Sequence, residues 1–278
     1  MKQHDGSCDR YAVMGNPIEH SKSPFIHALF AEQTGQRLEY GALLVAEGGF
    51  DAAAQRFRSG GGRGLNVTLP FKEDACRWVR DLAERARLAG AVNTVVFEPG
   101  RPARGDNTDG VGLVRDLTQN HGLSIGGRRV LVVGAGGAVR GVLPSLLSQS
   151  PESVLLVNRT FSRAADLVAR FEDLGSLAAC PLDGLAGMRF DLVINGTAAS
   201  LSGHLPDLPD GLLDTGAVCY DMAYASQTTP FVQWGGAQGA SESLDGLGML
   251  VEQAAESFRI WRGVRPETGP VIAALRRR

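Results

Sequence analysis

The sequence predicts an α/β protein built from two α/β domains, and three features support this prediction. Short apolar runs alternate with longer amphipathic stretches along most of the chain, which is the pattern of repeated β-α units. A glycine-rich turn follows an apolar run near the middle of the chain, as in doubly wound folds. The length of 278 residues suits one large or two modest domains, and the hydrophobic content of 44% is typical of a globular protein.

The first half of the chain predicts strands and helices in alternation. Residues 10–15 form a short apolar strand, and Pro24 then opens a helix that Gly35 ends. The other strands are expected at 38–46, 63–69, 91–97 and 101–107. The other helices are expected over 50–59, through Cys76 and Trp78, and over 81–90. This alternation predicts a mainly parallel sheet, with the last two strands paired around a Pro-Gly turn.

The second half, from Gly110 onward, predicts a doubly wound nucleotide-binding domain. A strand, a glycine turn and a helix follow one another over 128–147. The other strands are expected at 152–160, 190–196 and 217–222. Helices are expected over 111–122, 162–171 and, as a long amphipathic segment, 246–263.

Composition excludes several classes of function. The net charge of −2 predicts no general attraction to nucleic acid or to an anionic membrane. The first ten residues lack the apolar core of a secretory signal, and no apolar run approaches the roughly 18 residues that span a bilayer. Two disulfides are possible among Cys8, Cys76, Cys180 and Cys219, but their scattered positions favour reduced thiols in a cytoplasmic protein. Neither these cysteines nor the five histidines have metal-ligand spacing, so no metal site is predicted.

The glycine turn predicts a dinucleotide site. The apolar strand Val130–Val133 runs directly into Gly134, Ala135, Gly136, Gly137 and Ala138. The first glycine permits a tight turn, the second lets a pyrophosphate approach the backbone, and N–H groups at the start of the next helix bind the phosphates. The alternative is a glycine turn of purely structural use. Val139 stands where a third small residue is expected, and Ala138 is the other candidate for close packing there.

The end of the second strand of this domain predicts the cofactor. That strand ends in Asn158, Arg159 and Thr160, with Arg163 four residues after the first arginine. An NAD site has an acidic residue at this point, whereas an NADP site has an arginine. Both arginines can face a 2′-phosphate as multiple donors, which favours NADP over NAD. The alternative for Arg163 is a solvated charge at the start of a helix.

Polar side chains in the first half predict a site for a small polyhydroxylated ligand. They lie near predicted strand ends and are Ser21, Ser23, Asn66, Thr68, Asn93 and Asp109. In open α/β sheets ligands bind beyond the carboxyl ends of the strands. Each residue also has a structural alternative: the serines and Asp109 as helix caps, and Thr68 and Asn93 as partners of backbone groups. Asn66 and Thr68 also fit an N-glycosylation pattern, which the absence of a signal sequence makes a weak interpretation.

Lys72 and Asp109 are the expected chemical pair. Hydride transfer to a ketone creates an alkoxide that needs a proton, and a lysine close to a carboxylate can supply it. The alternative for Lys72 is an ordinary surface position on a helix. The sequence alone leaves both open.

Several motifs together resemble the shikimate dehydrogenase family. They occur in family order from about Tyr11 to Val271 and are YAVMGNPIEHSKSPF, GLNVTLPFK, AGAVNTVVF, GDNTDGVG, VVGAGGAVRG, NRTFSRA and LDGLGMLVEQA. The resemblance implies reversible NADPH-dependent reduction of 3-dehydroshikimate to shikimate, on the route to chorismate and the aromatic amino acids. It also implies a substrate-binding and catalytic domain over 1–109, a Rossmann-type NADP domain over 110–245, and C-terminal helices over 246–278 that return to the first domain.

The resemblance also assigns roles to residues. It implies that Lys72 is the catalytic lysine and Asp109 its partner. The implied substrate contacts are Ser21 and Ser23 for a carboxylate, Asn66, Thr68, Asn93 and Asp109 for hydroxyls, and Tyr224 and Gln253 as further contacts. The residues implied at the cofactor are Gly134 to Ala138 at the pyrophosphate, Asn158 to Thr160 and Arg163 at the adenine ribose phosphate, and Met222 and Gly246 near the nicotinamide.

The sequence departs from the family pattern at three places and leaves alternatives open. The segment after Tyr220 reads DMAYAS, where the family often has a proline after the tyrosine. Asn195-Gly196-Thr197 stands where the family usually has Asn-Ala-Thr, and Val139 replaces an alanine or serine. These last two departures lie beside the expected cofactor. The alternatives are a quinate/shikimate dehydrogenase that uses NAD, and a catalytically inactive nucleotide-sensing protein of the same fold. A monomer and a homodimer are both compatible with the sequence.

Overall fold

The computed structural model describes residues 8–278, and the chain divides into two compact units. Unit 1 comprises Met1–Thr108 and Val251–Arg278, and unit 2 comprises Asp109–Leu250. The described part of each unit contains one six-stranded sheet flanked by helices. The predicted α/β class is therefore confirmed.

Unit 1 is built on a mixed sheet. Its strands are β1 (Asp9–Gly15), β2 (Leu38–Leu44), β3 (Gly62–Val67), β4 (Asp81–Leu82), β5 (Thr94–Val96) and β6 (Arg104–Asp106), in the order β2-β1-β3-β5-β6-β4. β1 is parallel to β2 and β3, and β4 is parallel to β6. β5 is antiparallel to both of its neighbours, because it forms a hairpin with β6. Three of the five strand pairings are thus parallel.

The helices of the first half lie close to their predicted positions, with one correction. They are α1 (Ser23–Thr34), α2 (Phe50–Ser59), α3 (Lys72–Trp78) and α4 (Glu84–Ala89). Gly35 ends α1 in the left-handed conformation, as expected of a glycine after a helix. The predicted helix over 81–90 was wrong at its start, because residues 81 and 82 pair with β6 as β4.

Both faces of the unit 1 sheet are covered. Ala12 and Met14 of β1 face an apolar cluster that includes Phe50 and Phe71. On the other face, the rings of Tyr11, His27, Phe30, Tyr40, Phe258 and Trp261 pack together, with neighbouring centroids 4.1–6.3 Å apart. The last two rings come from the C-terminal part of the chain, so that part is integral to unit 1.

Unit 2 is built on a fully parallel sheet. Its strands are β7 (Arg129–Val133), β8 (Ser153–Val157), β9 (Leu177–Ala179), β10 (Phe190–Asn195), β11 (Leu213–Asp221) and β12 (Glu242–Asp245), in the order β12-β11-β10-β7-β8-β9. Its helices include α5 (Asp109–Arg115), α6 (Gly137–Leu147), α7 (Phe161–Phe171) and α8 (Pro230–Ala237). The central strand β7 is buried from Val130 to Val133. This is the doubly wound arrangement that the sequence predicts.

The remaining helices connect to the C-terminus. α9 (Leu247–Arg262) begins in unit 2 and continues in unit 1, and α10 (Gly269–Arg276) follows. The segment predicted as one helix over 111–122 has two parts. The α-helix α5 ends at Arg115, and a π-helical turn, Asp116–Asn120, follows it directly. β9, β12 and α8 were not predicted, since each is short, whereas α10 lies within the C-terminal helices that the family resemblance implies. Within residues 8–278, no helix is long and apolar enough to cross a membrane.

Candidate active site

The predicted polar residues of unit 1 gather at one edge of its sheet. Thr68 follows β3, and its backbone N–H donates to the Met14 carbonyl at the end of β1 (2.9 Å). Asn93 precedes β5, and Thr108 follows β6 closely. Because β5 runs antiparallel, its first residue reaches the same edge as the last residues of β3 and β6. The edge therefore combines strand ends with one strand start, which the parallel pattern alone did not predict.

A buried cluster of amides and hydroxyls, here called the amide cluster, occupies this edge. Its members are Asn66, Asn93, Thr94, Thr108, Gln253 and Ser257, and all except half-buried Gln253 are 6% exposed or less. The Asn93 amide bridges Thr108 Oγ1 (2.9 Å) and Gln253 Oε1 (3.3 Å). The structure thus brings three predicted site residues, Asn66, Asn93 and Gln253, into one hydrogen-bonded group.

Asn66 lies deeper in this cluster than the sequence suggested. Its Oδ1 accepts from the Tyr40 hydroxyl (2.6 Å), and its Nδ2 donates to the Asn93 carbonyl (3.0 Å) and to Ser257 Oγ (3.1 Å). Both ends of the amide are therefore engaged by protein groups. With 6% of its surface exposed, this asparagine is also a poor acceptor for a sugar.

The two predicted serines lie at the start of α1. Ser23 is the first residue of the helix and is 8% exposed, and its N–H donates to Ser21 Oγ (3.3 Å). Pro24 follows within the first turn. The N-terminus of a helix of this length favours a negative charge, so two hydroxyls placed there suit a carboxylate.

Lys72 and Asp109 each begin a helix, and they belong to different units. Lys72 is the half-buried first residue of α3, and its carbonyl accepts from the Val92 N–H (2.9 Å). Asp109 is the first residue of α5 and is 7% exposed. Lys72 is therefore not the fully exposed surface residue that its structural alternative supposed, whereas Asp109 lies at a helix start, as its alternative as a helix cap supposed.

A charged group supports the loop before Asp109. Arg85 donates to both carboxylate oxygens of Asp106 (2.6 and 3.0 Å), and Asp106 Oδ1 also accepts from the Asn107 N–H (2.8 Å). Glu256 accepts from Arg85 (3.2 Å) and from Arg259 (2.7 and 2.9 Å). These bonds connect α4, the loop after β6 and α9, all within unit 1.

Glu256 is the most strongly perturbed carboxylate of this charged group. Burial by itself raises its pKa, but the hydrogen bond from Arg259 and the charges of Arg85 and Arg259 outweigh burial and lower the pKa to about 2. Arg265 makes a further hydrogen bond to the same carboxylate (3.2 Å). Glu256 is therefore ionised throughout the physiological range.

The glycine turn of unit 2 has the geometry of a phosphate cradle. Gly134 follows β7 with a φ of +113°, which a side chain would strain, and its N–H donates to the Val157 carbonyl (2.7 Å). A Cβ added to Gly136 or Gly137 would meet no described atom within 4 Å, so the backbone here borders open space. α6 then begins at Gly137, directing backbone N–H groups toward that space. Ala135 and Ala138 complete the predicted turn. These features fit a dinucleotide pyrophosphate.

The two predicted arginines lie on the next β-α unit. Arg159 follows β8 and Arg163 lies in the first turn of α7, and both are exposed. Neither guanidinium makes a hydrogen bond or ion pair with residues 8–278. The turn between them is fixed by Asn158 Nδ2, which donates to the Thr160 carbonyl (2.8 Å). Two arginines whose charge is not matched by a carboxylate suit a 2′-phosphate, so the site fits NADP.

The two positions beside the expected cofactor that depart from the family pattern, Gly196 and Val139, are direct neighbours. A Cβ at Gly196 would stand 2.3 Å from Val139 Cγ2 and 3.2 Å from the sulfur of Met222. Val139 therefore fills the space that an alanine methyl at position 196 would need. Gly246 is similarly constrained, since its Cβ would lie 2.3 Å from the Met222 carbonyl oxygen. The predicted nicotinamide residues Met222 and Gly246 are thus packed against each other.

Tyr224 is half-buried in unit 2, and burial raises the pKa of its hydroxyl. The segment before it is held by Asp221, which accepts from the Ala223 N–H (3.1 Å) and from Asn195 Nδ2 (3.0 Å). Sequence reasoning did not single out Asp221. It also missed Tyr40, Thr94 and Ser257 in unit 1, although Ser257 stands one helical turn after the predicted Gln253.

Other sequence expectations concern metals and thiols. Within the described residues, no group of three or more metal-ligating side chains comes together. The four cysteines are free thiols, and burial raises the pKa of Cys219 to about 12, so that thiol is unreactive.

Comparison with known proteins identifies the family. The shikimate dehydrogenase substrate binding domain matches residues 13–95, the shikimate / quinate 5-dehydrogenase family matches 116–202, and the shikimate 5′-dehydrogenase C-terminal domain matches 246–276. The shikimate dehydrogenase (NADP(+)) of Alkalilimnicola ehrlichii is 63% identical over 96% of this chain and 98% of its own length. That of Cellvibrio japonicus is 55% identical, over 97% of both chains.

Solved structures agree with this assignment. The shikimate 5-dehydrogenase of Thermus thermophilus, in complex with NADP(H) and shikimate, superimposes with a TM-score of 0.86 at 33% identity. The match covers 97% of this chain and 99% of that one. The Ael1 enzyme of Pseudomonas putida gives a TM-score of 0.91 at 46% identity, covering 96% and 98%. This chain belongs to the shikimate dehydrogenase family.

Proposed function

We propose that the protein catalyses the reversible NADPH-dependent reduction of 3-dehydroshikimate to shikimate, within the biosynthesis of chorismate and the aromatic amino acids. Unit 1 supplies most of the substrate contacts, and unit 2 supplies the cofactor contacts. The observation that carries the proposal is the amide cluster at one edge of the unit 1 sheet, together with the two serines at the start of α1 in the same unit. It suits a small ligand with several hydroxyls and one carboxylate.

The substrate is held by fixed polar groups. The hydroxyls of Ser21 and Ser23, at the start of α1, bind the carboxylate. Thr68, Asn93, Asp109 and Gln253 bind the ring hydroxyls, and Tyr224 supplies a further contact. Asn66 is a further hydroxyl contact, and its amide also supports the arrangement through its bonds to the Tyr40 hydroxyl and the Asn93 carbonyl.

Unit 2 holds the dinucleotide through backbone and arginines. The turn from Gly134 to Ala138 and the start of α6 would hold the pyrophosphate through backbone N–H groups. Arg159 and Arg163 bind the 2′-phosphate, supported by the turn of Asn158 and Thr160. Met222 and Gly246 border the nicotinamide, which supplies hydride to the C3 ketone when it is bound.

Lys72 is the proton donor of the reaction. Its ammonium hydrogen-bonds the substrate oxygen and protonates it as the alcohol forms, and it takes the proton back in the reverse direction. Asp109 orients the Lys72 ammonium toward that oxygen.

Lys72→Ala tests this mechanism. Removing the proton donor should lower kcat by about 10²- to 10⁴-fold while NADPH binding, followed by fluorescence, stays unchanged. Arg77→Ala is the matched control, because it removes a positive charge from the exposed face of the same helix. A Lys72→Ala enzyme that keeps its kcat within about tenfold of wild type would refute the role.

A quinate/shikimate dehydrogenase that uses NAD is the second candidate. The family that matches residues 116–202 includes quinate in its description, and the shikimate 5-dehydrogenase of Listeria monocytogenes was crystallised with shikimate and NAD. Arg159 and Arg163 favour NADP instead. Comparison of the two substrates with the two cofactors separates the candidates.

We propose a cytoplasmic enzyme, as its four free thiols fit a reducing compartment. A monomer or a homodimer is expected, and light scattering after size-exclusion chromatography distinguishes them. The molecule that it binds besides the cofactor is its small-molecule substrate, shikimate or 3-dehydroshikimate.

A further inference from the structure

The orientation of the Asn93 side chain is fixed by one backbone group. The Thr108 N–H lies 2.9 Å from Asn93 Oδ1. A backbone N–H can only donate, so the Asn93 atom that faces it must be the oxygen and not the amide nitrogen. The nitrogen end then donates to Thr108 Oγ1 (2.9 Å) and toward Gln253 (3.3 Å).

The orientation of the Gln253 side chain follows from that of Asn93. Since Asn93 donates to it, the Gln253 atom in contact must be its acceptor, Oε1. The Thr108 hydroxyl lies 3.3 Å from the same oxygen and can donate to it as well. The donor end of Gln253, its Nε2 group, is therefore the end that turns away from Asn93.

The orientation of the Asn66 amide is fixed by a backbone carbonyl, whereas that of Asn93 is fixed by a backbone N–H. Its Nδ2 lies 3.0 Å from the Asn93 carbonyl oxygen, which can only accept. The opposite end of the amide is therefore Oδ1, and its partner is the Tyr40 hydroxyl at 2.6 Å. Tyr40 supplies the donor to a buried acceptor.

Tyr40 is well suited to remain that donor. Burial raises the pKa of its hydroxyl well above 10, with a hydrogen bond from Ser23 acting more weakly in the other direction. Its ring is stacked on His27, with centroids 4.1 Å apart and planes within 8°. Burial lowers the pKa of His27 to about 3, with a weaker opposite effect from Asn66, so this imidazole is neutral beside the phenol.

Ser257 joins the strands to helix α9. Its hydroxyl lies 2.7 Å from Thr94 Oγ1 and 3.1 Å from the Gln253 carbonyl, and it accepts from Asn66 Nδ2. Its side chain is completely buried. Through this one hydroxyl, the helix that carries Gln253 is held against β3 and β5.

We propose that Tyr40 and Ser257 are positioning residues for substrate: Tyr40 supplies the donor that Asn66 Oδ1 needs, and Ser257 holds Asn66 and the helix turn that carries Gln253 in place. Neither needs to touch the substrate. With the amides fixed, Gln253 offers N–H groups to the ligand, so the ligand group that it meets must be an acceptor such as a hydroxyl oxygen. This inference rests on the proposed function of the amide cluster.

Steady-state kinetics of Tyr40→Phe and Ser257→Ala test the proposal. Each should raise the KM for shikimate about 5- to 30-fold, the size expected when a buried polar group loses its partner. The KM for NADP should stay within about twofold of wild type, because unit 2 is untouched. If the two residues had a merely structural role, their substitution would raise the KM for shikimate and the KM for NADP together.

Tyr11→Phe is the matched control. Tyr11 belongs to the same aromatic group, with its ring tilted against Trp261 at a centroid distance of 4.7 Å, but its hydroxyl accepts from Arg262 and lies outside the amide cluster. Its removal should leave the KM for shikimate within about twofold. Melting temperatures of all variants are compared, and Ser257→Ala carries the test if Tyr40→Phe does not fold.

The outcomes separate the two proposals. Wild-type enzyme that does not turn over shikimate with NADP would overturn the proposed function. Normal wild-type turnover, with a KM for shikimate in Tyr40→Phe and Ser257→Ala no higher than in Tyr11→Phe, would overturn the positioning role alone. A parallel rise in the KM for NADP would also overturn it.

Discussion

The two units prepare their ligand-binding edges in different ways. Unit 1 places buried polar side chains at the edge of a mixed sheet, where Asn66, Asn93 and Thr108 are each 6% exposed or less. Unit 2 brings the apolar strand β7 to its edge and follows it with glycines, so that backbone groups face the open space. One edge is a network of side chains, and the other is a bare backbone turn.

This difference reflects the ligands. Hydroxyls on a small ring must be told apart by position, which requires donors and acceptors whose orientation is fixed. Phosphates are recognised by charge and by backbone N–H groups, which requires close approach and no side chains in the way. We therefore expect unit 1 to be sensitive to lost hydrogen bonds and unit 2 to be sensitive to added atoms.

The largest effect is expected from adding a side chain to the turn of unit 2. Gly136→Asp should raise the KM for NADP by about 100-fold or more, because a carboxylate would meet the pyrophosphate in the space that the N–H groups serve. The melting temperature should hardly change, since the new Cβ meets no described atom within 4 Å.

Gly236→Asp is the matched control for this change. Gly236 lies in α8, and a Cβ there also enters space without described atoms within 4 Å. The control should keep the KM for NADP within about twofold of wild type. If both variants raise this KM equally, the turn is a structural feature and not the phosphate site.

A smaller effect, on stability, is expected at Gly196, which packs next to Gly134 of the same turn and has no space for a side chain. Gly196→Ala should lower the free energy of unfolding by about 1–3 kcal/mol, because its methyl would overlap Val139 Cγ2. Val139→Ala in the same chain should restore much of that loss. Chemical denaturation of both single variants and the double variant measures the coupling, and simple additivity would contradict the contact.

The smallest effect is expected from the charged group of unit 1, and it depends on pH. Glu256→Gln should cost about 1 kcal/mol near neutrality, since glutamine keeps an acceptor and the arginines are partly exposed. The pKa of Glu256 is lowered from 4.5 to about 2, so its contribution to stability is complete above 4.5 and is lost as the pH falls through about 2.

Wild type and Glu256→Gln should therefore differ in stability at pH 6 and converge toward about pH 2. Glu98→Gln is the control, because Glu98 forms an exposed ion pair with Arg101. Its effect should be close to zero at every pH. A Glu256→Gln difference that persists unchanged to low pH would show that the carboxylate charge is not responsible.

Local pattern was enough to predict most elements. Helix α2 has the predicted bounds, and β8 ends at the predicted arginine loop, because apolar periodicity and flanking glycines are local signals. β12 was missed because its sequence, Glu242–Asp245, has little apolar character, and it is a strand only through its pairing with β11.

The site was predictable only in its strongest motifs. Residues such as Lys72 and Gly134 belong to short motifs with a chemical reason. The bond between Asn66 and Ser257 joins residues that are 191 positions apart, and no local signal could place them together. Tyr40 was missed for the same reason, since its role depends on which strand lies beside β1 and which amide its hydroxyl meets.

Formation and loss of reduced nicotinamide by the wild-type enzyme test the central claim most directly. Initial rates are measured with shikimate or quinate, each with NADP or NAD. The account predicts that shikimate with NADP has the highest kcat/KM, by at least about tenfold over each other pair. An equal or higher kcat/KM for quinate with NAD, or turnover with none of the four pairs, would contradict it.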